Sequence, residues 1–376
     1  MDTHAVDVIV VGAGIVGATV AAHLALDHRV ALIEAEEAAG YHTTGRSAAI
    51  WILNYGPPSV RVLTGLSRAF FEAPPQGFAD TPILSPRPVV FLAPPEQLDH
   101  LHTMLSAGTA LREASIAEIT ALVPALRPDY AKAAAIEEDA FDMDVAQLHQ
   151  GFLRQLRAQG GELALRSRTG RIARETGRWQ VETAGGGSYT APVIVNAAGA
   201  WGDEVAKQAD VTPVGLMPKR RTGCVIDPSP WNATKWPMVN DVDHTWYIRP
   251  EARTKMMVSP ADETDMFPHD VAPDEIDVAI AIDRMQQALD IEVRRVEHSW
   301  AGLRTFSPDR NFVLGWDATA EGFFWCVGQG GYGIQTSPAA GRLASDIISG
   351  RDPGPAGAIL DTISPRRFNH PGRNHV

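Results

Sequence analysis

The sequence predicts an α/β protein whose core is a Rossmann-like dinucleotide-binding domain assembled from discontinuous segments. Three observations carry that expectation. A strand, a glycine turn and a helix follow one another across Val6 to Leu26; a second apolar strand ends in an acidic residue at Glu34; and glycine-rich turn grammar returns near residue 330. At 376 residues the chain is long enough for two domains and a large core.

Between Val6 and Leu26 only Asp7 and His23 are ionisable. The length fits a membrane span of about 20 residues, but the internal order does not. Val8-Ile9-Val10-Val11 is β-branched, glycines stand at 12, 14 and 17, and Ala, Val and Leu then recur at helical spacing. A signal peptide wants a basic start, whereas Met1-Asp2-Thr3-His4 is acidic. Arg29 to Glu34 reads as the second buried strand, and Glu34 follows Gly12 by 22 positions. Gly12-x-Gly14-x-x-Gly17 with that carboxylate matches the dinucleotide fingerprint. Its glycines let the backbone approach a pyrophosphate at a helix N-terminus, and the carboxylate takes ribose hydroxyls. The competing explanation is a glycine turn with no ligand.

Pro74-Pro75, Pro82, Pro86, Pro88 and Pro94-Pro95 punctuate a region of short strands and loops. Ser115-x-x-Glu118 is a capping box for a helix over 116–123. Asp144 and Gln147 open an amphipathic helix carrying Val145, Leu148, Phe152 and Leu156, which Gly160-Gly161 ends. Leu163 to Leu165 reads as strand, residues 171–175 and 178–183 as a hairpin around Thr176-Gly177, and Val193 to Val195 as a buried strand entering Asn196-Ala197-Ala198-Gly199. Residues 206–299 mix strands with one helix near 275–289. Strand 322–327, the loop Gly328 to Gly333 and a helix over 337–348 close the pattern, and the final dozen residues, with His370 and His375, read as a loose tail. Nucleotide-binding grammar therefore occupies roughly 6–50, 145–200 and 300–350, with different material inserted twice.

Composition excludes several classes. Hydrophobic residues are 45% and charged residues 21%, as in an ordinary soluble protein. A net charge of −12, from 33 basic and 45 acidic side chains, argues against a nucleic-acid binder. Cys224 and Cys326 allow one bridge at most, and two reduced, buried thiols in a cytoplasmic protein are expected. His100-x-His102 lacks metal-ligand spacing on a helix, so no metal is expected. Asp262-Glu263-Thr264-Asp265 reads as a solvated loop.

Across nearly the whole chain these residues resemble the D-amino-acid oxidase superfamily of FAD-dependent oxidoreductases. The resemblance rests on GAGIVG with Glu34, on Gly40-Tyr41-His42-Thr43-Thr44-Gly45-Arg46-Ser47-Ala48-Ala49, and on Ala301 to Asp309 followed by the 328–335 loop. The runs YHTTGRSAA, LSPRP, PKRR, EGFFW and QGGYGIQTS are similar to its D-arginine dehydrogenase branch. The resemblance implies an FAD-binding domain from 1–80, 142–205 and 300–376, with 81–141 and 206–299 forming an inserted α+β substrate domain on a mixed, largely antiparallel sheet. It implies FAD contacts from Gly12, Gly14, Ile15, Val16, Gly17, Glu34 and Ala35; from Thr43, Thr44, Gly45, Arg46, Ser47, Ala48 and Ala49; from Thr169, Ala198 and Gly199; and from Gly330, Gly331, Tyr332, Gly333, Ile334 and Gln335. Gly302, not a cysteine, stands near Arg304, so the FAD is expected to be non-covalent.

Oxidising an amino acid on a flavin requires a fixed carboxylate, a neutral amine and a Cα–H aimed at N5. An arginine fork suits the first requirement. Arg304 and Arg221 match the superfamily's carboxylate arginines, and Tyr247 and Tyr55 its lining tyrosines. The alternatives are a surface cation at Arg221 and a structural salt bridge at Arg304. Where the arginine-preferring branch carries a histidine and an acidic residue, this chain has Ile50 and Val89, which offer nothing to a buried cation. With Gly331 they are the expected substrate-pocket residues. The expected function is oxidative deamination of D-amino acids, apolar or aromatic rather than arginine, to 2-oxo acids and ammonia by hydride transfer from Cα to flavin N5. The alternative is a flavoprotein oxidase or dehydrogenase of secondary amines or 2-hydroxy acids. The expected partners are a small amino acid and an electron acceptor, oxygen or a quinone- or dye-type molecule, with no nucleic acid and no integral membrane span.

Overall fold

Val8–Val11, four wholly buried residues in a row, is too apolar to face water on either side, and it forms a central strand of a parallel sheet. The computed structural model describes residues 3–368. That sheet runs Glu162–Ala164, Val30–Ile33, Val8–Val11, Val193–Asn196, Phe323–Val327 and Val313–Trp316. The first five strands are parallel and the last antiparallel, in the registers Leu163↔Leu32, Val8↔Val30, Val8↔Val193, Ile194↔Phe323 and Trp316↔Phe324. Helix Ile15–Leu24, buried at nine of its ten residues, lies between helices Gly333–Ile348 and Val145–Ala158 on one face. A smaller sheet of Thr3–Ala5, Ser188–Ala191, Arg178–Thr183 and Thr169–Glu175 closes the other face through Ile172, Trp179, Val181 and Tyr189. Its hairpin turns at Thr176 and Gly177, both with positive φ (49° and 81°), the geometry that matches strand twist.

The second large sheet orders Thr264–Asp265, Met217–Ile226, Lys255–Ser259, Tyr247–Glu251, Met238–Asp241, Val89–Ala93, Ala133–Glu137 and Leu111–Ala114. Strand Val296–Phe306 also pairs with Met217–Ile226, in a long antiparallel ladder from Met217↔Phe306 to Ile226↔Val296. Only Val89–Ala93 against Met238–Asp241 is parallel among these pairs. Alternation sorts the side chains. Val90, Leu92, Ile136, Val239, Ile248 and Val258 pack under helix Glu275–Ala288, while Val89, Phe91 and Ala135 face the other way.

The structure departs from the sequence expectation in four places. Helix Pro58–Glu72 occupies a stretch to which the sequence reading assigns no element, although Val60, Leu63, Thr64, Ser67 and Phe71 lie at helical spacing on its buried face. Helix Gly333–Ile348 begins four residues before the expected start at 337, and Pro338 lies inside it. Proline cannot donate to the Ile334 carbonyl, and the Ser337 hydroxyl does so instead at 3.0 Å. The run at 262–265 is solvated at Glu263, Thr264 and Asp265, as expected, but it is not a plain loop. Asp262 is nearly enclosed, its carboxylate accepts from the Thr222 backbone N–H (2.6 Å) and hydroxyl (3.0 Å), and Thr264–Asp265 is an edge strand. Within the expected tail, Pro365–Phe368 forms a 3₁₀ turn whose Arg367 bonds Asp309; His370 and His375 lie outside the described residues, as do Met1 and Asp2.

Helices Ile15–Leu24 and Gly333–Ile348 touch where Gly341 faces Thr19: a Cβ at 341 would stand 2.2 Å from Thr19 Cγ2. Gly341→Ala is expected to lower unfolding free energy by about 1–3 kcal/mol through overpacking. Gly185→Ala, whose Cβ would meet nothing closer than 3.6 Å, is expected to stay within about 0.5 kcal/mol. Urea unfolding of the two variants, compared with the parent chain, checks the contrast.

Candidate active site

A long cleft begins at the carboxyl ends of Val8–Val11, Val30–Ile33 and Val193–Asn196 and continues to the second sheet. At its nucleotide end Gly12 has φ +101°, and a Cβ there would meet Ala197 O at 2.6 Å, so the turn accepts only glycine. Glu34 Oε2 accepts the Ala13 N–H (2.8 Å) and Oε1 the Glu36 N–H (3.0 Å), which fixes the carboxylate at the rim. The Ile15 N–H donates to Thr44 Oγ1 at 2.9 Å, placing that hydroxyl at the helix N-terminus. The second helix N-terminus, at Gly333, has no side-chain cap and borders the same cleft. Two helix ends, a glycine cradle and a rim carboxylate suit a dinucleotide with a central pyrophosphate.

The segment 40–49 is strapped across the cleft by bonds to distant strands. Thr43 Oγ1 donates to Leu303 O (2.8 Å), and Arg46 Nη1 to Ala301 O (3.1 Å) and Val271 O (3.2 Å). Trp300 Nε1 donates to Arg46 O at 3.1 Å, and Asp270 pairs with the Arg46 guanidinium at 2.5 Å. The strap therefore depends on strand Val296–Phe306, which also carries Arg304.

Register places the two candidate arginines. Arg221 lies opposite Gly302 and Lys219 opposite Arg304, so Arg221 and Arg304 are diagonal neighbours on one face of the ladder. Both line the cleft, with Tyr247. Arg304 Nη1 donates to Tyr55 Oη at 2.8 Å. Arg221 Nε donates to Asp262 O (2.9 Å), and its Nη2 lies 3.4 Å from Glu263 Oε1. Glu263 is itself held by Arg310 through two bonds of 2.9 and 3.0 Å. Burial and then the neighbouring Arg304 charge lower the pKa of Arg221. Burial opposes the Arg304 charge too, but Tyr55, Tyr247, Tyr332 and Glu263 outweigh it and the pKa rises. Burial alone would raise the Tyr247 pKa; the two guanidiniums reverse the direction. The site is thus an electropositive pocket with hydroxyls around it, built to take an anion.

The cleft is lined by Gly12, Gly14, Ile15, Val16, Glu34, Ala35, Thr43, Thr44, Arg46, Ser47, Ala48, Thr169, Ala198, Gly199, Gly330, Gly331, Gly333 and Ile334. Other expected residues stand behind that lining. A Cβ on Gly17 would meet Gly12 O and one on Gly45 would meet Gly40 O, so both allow the turns to close. Ala49 offers its carbonyl to Arg249 (3.2 Å), and Gln335 braces Ile52 and Thr64. Tyr332 is buried against Tyr55, with ring centroids 5.0 Å apart. Val89 has no exposure and packs with Ile52 and Phe91, while Ile50 is half-buried beside them. Sequence reasoning missed Glu137, paired across strands with Val89. Its buried carboxylate accepts the Leu53 N–H and the Asn54 amide, both at 2.8 Å, and burial raises its pKa. It also missed Trp201, Trp300 and Met257 in the cleft wall, whose positions follow from long-range pairing alone. Cys224 and Cys326 are free and buried, and neither lines the cleft. Among the described residues no group of three or more His, Cys, Asp or Glu gathers as a metal site, and no helix is long and apolar enough to cross a membrane.

The chain is 28% identical over 369 residues to a glycine oxidase of Pseudomonas aeruginosa, covering 92% of this chain and 95% of that one. It is 27% identical over 199 residues to FAD-dependent oxidoreductase domain-containing protein 1 of Xenopus laevis, covering 48% of this chain and only 39% of the relative. The chain thus matches well under half the length of that relative. The crystal structure of L-proline dehydrogenase from P. horikoshii superposes with a TM-score of 0.84 at 18% identity, over 98% of each chain. A family model for FAD dependent oxidoreductases matches residues 7–347. That match spans the glycine cradle, the strap and the paired arginines alike, and the chain belongs to the DAO family of FAD-dependent oxidoreductases.

Proposed function

We propose that this chain catalyses the oxidative deamination of D-amino acids with apolar or aromatic side chains, giving 2-oxo acids and ammonia. The observation that carries the reading is the diagonal Arg221–Arg304 pair facing one cleft under Tyr247 and Tyr55. The two guanidiniums present several N–H donors to a single anion, and a carboxylate seated there replaces the water that burial has already removed. Tyr55 accepts from Arg304 and keeps its own O–H for the substrate. Segment 40–49, tied down at Thr43 and Arg46, closes the cleft wall against solvent. Bound FAD, held non-covalently, supplies the acceptor for the hydride leaving Cα. The ammonium proton passes to water, since the clamp itself holds no free base. The imine released from the clamp hydrolyses in solution.

Side-chain preference rests on Val89 and Ile50, whose apolar side chains give a guanidinium or ammonium no partner to offset its desolvation. The D configuration rests on the sequence runs similar to D-arginine dehydrogenase, and glycine oxidase likeness keeps small amino acids in the panel. Secondary amines or 2-hydroxy acids form the second reading, because the clamp reads the carboxylate alone. The assignment of 1–80, 142–205 and 300–376 to FAD binding and of 81–141 and 206–299 to the substrate is part of this proposal. So are a cytoplasmic location and oxygen or a quinone-type acceptor.

Anaerobic bleaching of the flavin across D- and L-amino acids, secondary amines and 2-hydroxy acids tests the reading; bleaching by L-amino acids or hydroxy acids alone would overturn it. The purified protein is expected to be yellow and to release its FAD on acid or heat denaturation, with flavin remaining on the precipitated chain as the contrary result. Arg304→Ala is expected to keep its FAD and lose about two to four decades in kcat/KM. Breaking a buried charge pair costs about 3–5 kcal/mol, at ~1.4 kcal/mol per decade. Stopped-flow flavin reduction, read beside FAD content, separates the two effects.

A further inference from the structure

Five rings form a continuous arc beside the carboxylate clamp. Phe91 and His244 have centroids 6.0 Å apart, His244 and Tyr55 6.1 Å, Tyr55 and Tyr332 5.0 Å, and Tyr332 and Phe306 6.2 Å. Each contact is edge-on, with interplanar angles from 67° to 82°, the arrangement in which aromatic quadrupoles attract. Tyr55 fixes the arc to the clamp through Arg304. Phe91 fixes it to the substrate sheet, where Phe91 lies opposite Asn240, and Asn240 lies opposite the cleft-lining Tyr247.

His244 is unlike the other four. Phe91, Tyr332 and Phe306 are buried and Tyr55 is half-buried, whereas the His244 side chain is exposed. Its imidazole makes no hydrogen bond to another described residue, although the ring offers both a donor and an acceptor. The protein packed around its inner side lowers its pKa; Asp241 opposes this, and the His100, Arg221 and Arg304 charges add to it. The backbone is built to present it. His244 has φ +54°, in the left-handed region that histidine enters more readily than most side chains. The turn is locked by Asp241, which accepts the Thr245 N–H (2.6 Å), the Thr245 hydroxyl (2.7 Å) and the Gln97 amide (2.8 Å). A locked turn that presents a ring beside the clamp with its polar atoms unused is suited to contact a ligand.

We propose that His244 is a specificity-determining residue of the side-chain site, and that the side chain it selects is an aromatic ring bearing a hydrogen-bonding group. The ring packs edge-to-face within the Phe91–His244–Tyr55 arc while the carboxylate sits on Arg304 and Arg221. The imidazole then pairs with the polar group at the ring's far end. This rests on the carboxylate-clamp reading above and narrows its substrate class to phenol- or indole-like amino acids.

The test uses the FAD-loaded full chain and three non-reacting carboxylates: butyrate, phenylacetate and 4-hydroxyphenylacetate. Binding is read from perturbation of the flavin absorption band. The parent protein is expected to bind 4-hydroxyphenylacetate tightest and butyrate weakest. His244→Asn suits the left-handed backbone and removes the ring. It is expected to weaken both aromatic probes by about 3- to 10-fold, the size of one aromatic contact, and to leave butyrate within about twofold. His244→Phe keeps the ring, so it should hold phenylacetate and lose the extra affinity for 4-hydroxyphenylacetate. Unchanged ratios among the three probes in both variants, with FAD and butyrate binding intact, would overturn the role of His244 alone. Failure of every carboxylate to bind the parent protein, or butyrate binding untouched by Arg304→Ala, would overturn the clamp reading and this inference with it.

Discussion

Two like charges held side by side in a crowded cleft are the constraint on which the rest of the site depends. Arg221 and Arg304 face the same way because the ladder between Met217–Ile226 and Val296–Phe306 sets them on one diagonal. Their repulsion is the second cause, after burial, of the lowered Arg221 pKa. Protein oxygens offset it: Tyr55 on Arg304, and Asp262 O and the Glu263 carboxylate on Arg221. Glu263 stays in place because Arg310 grips it bidentately, with the Arg310 guanidinium lying 3.8 Å over Phe306. The acidic stretch after Lys255–Ser259 is thus part of the clamp's support, holding the arginine from behind while the front remains open to a ligand.

That dependence explains why the site spans two sheets. Strand Val296–Phe306 belongs by hydrogen bonding to the second sheet, yet it anchors Thr43 and Arg46 of the strap next to the nucleotide cradle. Gly302, directly opposite Arg221, has no side chain to fill the space between the strap and the arginines. The separation between the nucleotide cradle and the paired arginines is therefore set by one strand. Reactions that need a fixed approach angle benefit from such a short path between their two binding groups.

Much of this was legible in the sequence, and the limits follow a physical pattern. The parallel sheet declared itself through four-residue apolar runs and through glycines whose spacing is dictated by local turn sterics. Helix Val145–Ala158 announced its start at Asp144, whose carboxylate caps Gln147 N at 2.9 Å. Residues whose meaning lies in a distant partner were not legible. Asp262 looks like any acidic loop residue until Thr222 is laid beside it, and Glu137 until Leu53 and Asn54 fold over it. The early start of helix Gly333–Ile348 was hidden by Pro338, a breaker by local rule that Ser337 makes harmless. Helix Pro58–Glu72 was obscured by the prolines at either end, although its buried spacing was present.

The close approach at Gly341 has a further consequence. It joins helices Ile15–Leu24 and Gly333–Ile348, far apart in sequence, and each of them aims its N-terminus at the cleft. A ligand gripped by both ends acts as a removable cross-link between chain segments that are synthesised far apart in time. The cleft lacks one of its two helix ends until helix Gly333–Ile348 has docked, so full flavin capture waits on that helix. Once captured, the flavin stabilises the folded form in proportion to the logarithm of its free concentration. Cofactor supply thereby becomes a determinant of folded-state stability, separate from any effect on turnover.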